Sequence, residues 1–177
     1  IGNDKIYDYV IKDASTALYL NKDYVEALEI RAKAYKRNKN IILAIDDFSK
    51  IIEMSPENAT AYETRGELLF SIEEYDKALS DYDKVIEKSK YKYAKLEAYY
   101  QRGIINLILE EYDRAVSDFT YLIDNGVSAD EMFYLRGTAF IGLGKFVDGC
   151  KDYKIIKASD DTAYRKMYNF YECDEHY

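Results

Sequence analysis

Arginine and aspartate recur in step along this chain. Arg31, Arg65, Arg102 and Arg136 each stand sixteen residues before Asp47, Asp81, Asp118 and Asp152, and a fifth aspartate, Asp13, precedes Asp47 by 34. Guanidinium and carboxylate in so regular a pattern have two readings. They can form a ladder of ion pairs that joins helices, or the arginines can line up to bind an anion while the aspartates point away. The regular recurrence favours the structural ladder. The spacing leaves open whether each pair lies inside one repeat or bridges two. An exposed pair adds only about 0–1 kcal/mol, and more if it is partly buried and bidentate.

Other chemistry finds little support. His176 is the only histidine, and the two cysteines, Cys150 and Cys173, have no metal-ligand spacing. No Ser/His/Asp or Cys/His set has a credible home. Gly142-Leu143-Gly144-Lys145 looks like a phosphate loop but lacks the spaced first glycine and the Ser/Thr after the lysine. It reads instead as a turn between helices. Asn58-Ala59-Thr60 is a formal glycosylation sequon, and Asn58 reads as a helix cap. No catalytic residue, metal or cofactor is expected.

What positions these residues is a helical repeat. From Asn58 to Lys90 two apolar-periodic segments meet at Glu73-Glu74-Tyr75-Asp76, with Gly66 in the first and Ala78 in the second. Small residues at facing places let two antiparallel helices approach closely. We number places so that the small residue of the first helix is place 8. Place 8 is then Ala32, Gly66, Gly103 and Gly137. Place 20 is Val10, Ala44, Ala78, Ala115 and Gly149, and place 24 is Ala14, Phe48, Tyr82, Phe119 and Tyr153. The arginines fall at place 7 and the aspartates at place 23. Ala32 to Gly66 and Gly103 to Gly137 are 34 residues, whereas Gly66 to Gly103 is 37, which puts an insertion near Tyr91–Tyr93.

This pattern resembles the tetratricopeptide repeat, a 34-residue helix–turn–helix unit, over about residues 3 to 158. The resemblance implies an all-α fold, a right-handed α-solenoid with a C-terminal capping helix. Residues 1–21 read as the second helix of a repeat whose first helix is absent, as in a fragment of a longer protein; the alternative is an array that starts on a half-repeat. Repeats follow over 22–57, 58–91, 92–128 and 129–160, then a capping helix and tail over 161–177. Helices are predicted near 7–20, 24–38, 41–54, 59–71, 75–88, 93–109, 112–124, 130–142, 146–157 and 161–172, ten in all with no strand. Asn125-Gly126 offers a C-cap.

The family lines its inner wall with places 2, 5, 9, 12 and 13 of each first helix. Carried onto this chain, the resemblance implies a groove containing Glu29, Glu63, Glu67, Phe70, Glu97, Tyr100, Ile104, Leu107, Tyr134 and Ile141, with Ile108 and Gly142 beside them. The wall is polar toward the N-terminus and apolar toward the C-terminus. It fits a peptide or helix with an apolar face and some lysine or arginine; the alternative is that the C-terminal segment covers the apolar end. One subclass grips acidic chaperone tails with Lys, Asn and Arg, but Glu29, Glu63 and Tyr100 stand where those are wanted, so that function is rejected.

Cys150 and Cys173 fall on helices expected to run antiparallel from a turn near Ser159. Counting helical rise from the turn leaves a mismatch of roughly 6 Å. The expected outcome is two buried free thiols, with a bridge as the alternative. The Gly-Cys-x-Asp-Tyr sequence and later Cys resemble bacterial repeat proteins, particularly from Bacteroidetes.

The net charge of −8 argues against a general nucleic-acid binder and mildly favours basic or neutral partners. No run approaches the roughly 20 apolar residues that span a membrane. The expected function is a non-enzymatic protein-interaction module. The alternatives are a structural section of a longer solenoid, self-associating through its N-terminal helix, and a regulatory domain of an enzyme whose catalytic part lies elsewhere. For location the cytoplasm is the default, with an extracytoplasmic bacterial site as the alternative.

Overall fold

The computed structural model describes residues 3–127, 129–157 and 173. Among these the chain forms nine α-helices and no strand: α1 (Asn3–Leu20), α2 (Val25–Arg37), α3 (Ile41–Met54), α4 (Ala59–Ser71), α5 (Tyr75–Lys88), α6 (Lys92–Ile108), α7 (Tyr112–Asp124), α8 (Asp130–Gly142) and α9 (Phe146–Lys157). The tenth expected helix, over 161–172, lies outside the described residues. The chain divides into two compact units, Ile1–Lys95 and Leu96–Tyr177, and the boundary falls just after the insertion.

Each unit is built from antiparallel neighbours. In the first, α1 packs on α2, α2 on α3, α3 on α4 and α4 on α5; in the second, α7 packs on α8 and α8 on α9. The apolar period explains which faces meet. On α3 the residues Ala44, Phe48, Ile51 and Ile52 are buried, at helical spacing, while Ile42 and Leu43 face outward. On α5 and α7 the same places give Ala78, Tyr82 and Val85, then Ala115, Phe119 and Leu122.

The small residues at place 8 do what their size suggests. A Cβ built on Gly137 would lie 2.7 Å from the Tyr153 ring and 3.2 Å from the Gly149 carbonyl oxygen. One built on Gly66 would meet the Tyr82 ring at 3.3 Å. The close approach is therefore to the ring at place 24 as well as to place 20.

The turn between first and second helix is the same in every repeat. Lys39, Glu73, Glu110 and Gly144, all at place 15, have φ of 60°, 63°, 59° and 71°. The following amide then reaches back to close the helix, as in Glu74 N to Leu69 O at 2.9 Å and Glu111 N to Asn106 O at 2.8 Å. Three of these left-handed positions carry a side chain. Asn58 caps α4, its Oδ1 accepting from Ala61 N at 3.1 Å. Gly126, at φ 90°, ends α7, and Val127 N donates to Leu122 O at 3.0 Å.

The cysteine expectation is corrected. Cys150 and Cys173 are bonded to each other, with Cα atoms 5.4 Å apart, inside the range that a bridge needs.

Candidate functional site

The arginines and aspartates settle into pairs within a repeat. Arg31 donates from Nε and Nη2 to the two oxygens of Asp47 at 2.8 and 2.7 Å. Arg65 holds Asp81 and Arg136 holds Asp152 at the same distances, and Arg102 holds Asp118 at 3.1 and 2.6 Å. The third nitrogen, Nη1, turns to the preceding second helix: Arg31 to Ser15 at 3.1 Å, Arg65 to Ser49 at 3.0 Å, Arg136 to Thr120 at 3.3 Å. Each of these guanidinium groups thus joins three helices. The aspartates are 2–3 % exposed, and their hydrogen bonds raise Arg31, Arg65 and Arg136 above the ordinary arginine value. With the carboxylates turned inward, the anion-binding reading of the arginines fails. Asp13, by contrast, is exposed.

The candidate wall lies on the first helices, α2 and α4 in the first unit and α6 and α8 in the second. In the first unit Glu29 accepts from Lys33 at 2.5 Å, and Glu67 accepts from Lys36, one repeat back, at 2.5 Å. Glu63 is half-buried on α4, and Phe70 is half-buried against Tyr75 of its own repeat, ring centroids 5.8 Å apart.

In the second unit Glu97 accepts from Gln101 at 2.8 Å, and Glu131 of α8 accepts from the Tyr100 hydroxyl of α6 at 2.9 Å. Tyr100, Ile104 and Leu107 are half-buried along the edge of the core formed by Ala115, Phe119, Leu122, Met132 and Ala139. Tyr134 and Ile141 pack against Cys150, Tyr153, Ile156 and Cys173. Ile141 lies over Gly149, where its Cδ1 occupies the space a Cβ would take. Ile108, 46 % exposed, is the large apolar wall residue of this unit that stands clearest of the protein.

Sequence reasoning placed these residues on the right helices and missed their engagements. Four wall glutamates, Glu29, Glu67, Glu97 and Glu131, are already hydrogen-bonded by the chain's own side chains. The signal for Lys36 and Glu67 was their register, place 12 against place 9 of the next repeat. Among the described residues no group of acidic, histidine and cysteine side chains could hold a metal ion. No described helix is long and apolar enough to cross a membrane.

Comparison with known proteins agrees with the repeat. Residues 31–93 match the family described as Tetratricopeptide repeat. A human protein, Tetratricopeptide repeat protein 13, is 31 % identical over 87 residues, 46 % of this chain and 10 % of that protein. The chain thus spans about a tenth of the length of that relative. Among solved structures, YrrB, described as a TPR protein with an unusual peptide-binding site, superposes with a TM-score of 0.77 at 19 % identity, covering 90 % of this chain and 81 % of that one. The crystal structure of MamA gives 0.73 at 23 % identity, covering 84 % and 85 %. At these identities the structures speak for the fold.

Proposed function

We propose that this array of tetratricopeptide repeats is a non-enzymatic binding module whose first-helix faces take a protein segment with an apolar side and a few lysines or arginines. The observation that carries the reading is the strip on α6, where half-buried Tyr100, Ile104 and Leu107 lead to exposed Ile108. Covering it would remove apolar surface from water at little ordering cost, because its inner half is already packed. The wall glutamates set the charge preference. Glu29, Glu67, Glu97 and Glu131 are held by exposed bonds, and such bonds are weak, so an incoming cation can displace them. Tyr134 and, in the first unit, Glu29, Glu63, Glu67 and Phe70 belong to the same kind of face. That YrrB is described as having a peptide-binding site supports this use of the fold.

The test is a displayed peptide library panned against the immobilised chain. Binders rich in apolar and basic residues are expected. The double variant Tyr100→Ala, Tyr134→Ala should lose them while keeping its helical circular dichroism. Undiminished binding by that variant would sink the groove reading.

A second reading rests on α1. Ile6 and Tyr9 are 57 % and 69 % exposed there, at places 16 and 19, where α5 and α7 have Glu74 and Glu111 as N-caps and carry Lys77 and Arg114. An apolar surface in that position suits self-association. Light scattering across a concentration series tests it, and a mass that stays at one chain excludes it.

A further inference from the structure

The chain has two cysteines, and both are consumed in one bond. Cys150 lies on α9, the second helix of the repeat over 129–160, and Cys173 lies 23 residues on. Each is 3 % exposed.

The place they occupy has a counterpart one repeat earlier. There Phe119 and Leu122 of α7 are covered by Met132 and Ala139 of the following first helix. On α9 the equivalent residues are Tyr153 and Ile156, 1 % exposed each, and Cys173 joins them in the same cluster. Phe133, Tyr134 and Ile141 pack on it from α8. The packing on α9 thus includes a covalent tie at the place where α7 is packed by Met132 and Ala139.

We infer that this bond is a permanent staple and that the protein matures and works in an oxidising compartment, in place of the cytoplasmic default. Three observations support it. The geometry brings the two sulfurs together in a packed core, and both partners are sealed from solvent, where an attacking thiolate has no access. The closed loop is long enough for the bond to restrict the unfolded chain appreciably. Thiols in the cytosol are kept reduced, so a bond of this kind persists outside it.

Formation balances by thiol–disulfide exchange. The two thiols lose two electrons and two protons to an external disulfide, such as that of a thiol oxidoreductase. A mixed disulfide forms first; the second cysteine's thiolate then displaces the carrier, which leaves as a dithiol.

The experiment takes the protein from its own host into acid, which stops exchange, and alkylates it under denaturing conditions. No alkyl group is expected before reduction and two after it. Any group added to the unreduced protein would overturn the inference. Stability provides the second arm. Cys150→Ser, Cys173→Ser and the double variant should all melt about 5–10 °C below the oxidised parent, and by the same amount as one another. An unchanged melting temperature would remove the staple. Should the variants fail to fold, the folded parent still decides: dithiothreitol should reduce it far more slowly than it reduces the chain in denaturant, and equal rates would count against a sealed bond.

Discussion

Arg65 grips Asp81 with two parallel hydrogen bonds, Nε to Oδ2 at 2.8 Å and Nη2 to Oδ1 at 2.7 Å, while its Nη1 reaches back to Ser49. The side chain of Asp81 is 3 % exposed and that of Arg65 is 22 %. Truncating the arginine strands a buried carboxylate. We expect Arg65→Ala to cost roughly 3–5 kcal/mol. Arg65→Lys should recover little of it, since a lysine cannot make the two-pronged contact. Chemical denaturation of the two variants checks this, and a lysine variant as stable as the parent would refute it. Because the pair holds the guanidinium above its ordinary value, its contribution is present below that ordinary value and would fade only as pH rises through the raised one. The arginine therefore titrates nowhere near neutral pH.

Place 15 offers a stabilising change. Glu73 sits at φ 63°, in the left-handed region where a side chain crowds the backbone. Gly144 shows that the turn accepts glycine. Glu73→Gly should raise stability by about 0.5–1 kcal/mol, and the same is expected of Glu110→Gly. Thermal melts of the single and double variants read this out. A fall in melting temperature would mean that the glutamate makes a compensating contact.

The glycines at place 8 are not equivalent. Gly66→Ala should be nearly neutral, because the added carbon meets a ring edge at 3.3 Å and Ala32 fills the same place one repeat earlier. Gly137→Ala should cost roughly 1–3 kcal/mol. Its added carbon would press on Tyr153 at 2.7 Å and on backbone at 3.2 Å, and Tyr153 is held by Thr138 at 3.0 Å. Equal effects at the two positions would contradict this account.

Tyr100→Phe separates packing from charge on the proposed binding face. It keeps the ring against the core and releases Glu131 from the hydroxyl. Stability should change by less than about 1 kcal/mol, and binding of a lysine-bearing peptide should become stronger and more sensitive to salt. Titration at two ionic strengths tests both. Weaker binding would show that the hydroxyl itself contacts the peptide.

These details also show what was legible beforehand. Helices α3, α4, α5, α7, α8 and α9 have the bounds their apolar period predicts, because burial repeats with the helix and the small residues mark where helices touch. The left-handed turns were hidden, since Lys39, Glu73 and Glu110 give no compositional hint and only Gly144 does. The wall residues were assigned by carrying the wall places of the resembled repeat family onto this chain. That Lys36 and Tyr100 would bind Glu67 and Glu131 depends on rotamers and on how adjacent repeats lean together. The cysteine bridge stood only as the alternative to free thiols because a count of helical rise assumes a fixed turn point, and a few ångströms decide whether two sulfurs meet.

The reach of Arg65 Nη1 to Ser49 sets a rule for anyone who splices this chain. A cut that keeps α3, α4 and α5 together preserves the whole joint, whereas one made between α3 and α4 severs it and leaves the guanidinium without its third support. Blocks moved between such proteins should begin on a second helix rather than on the first.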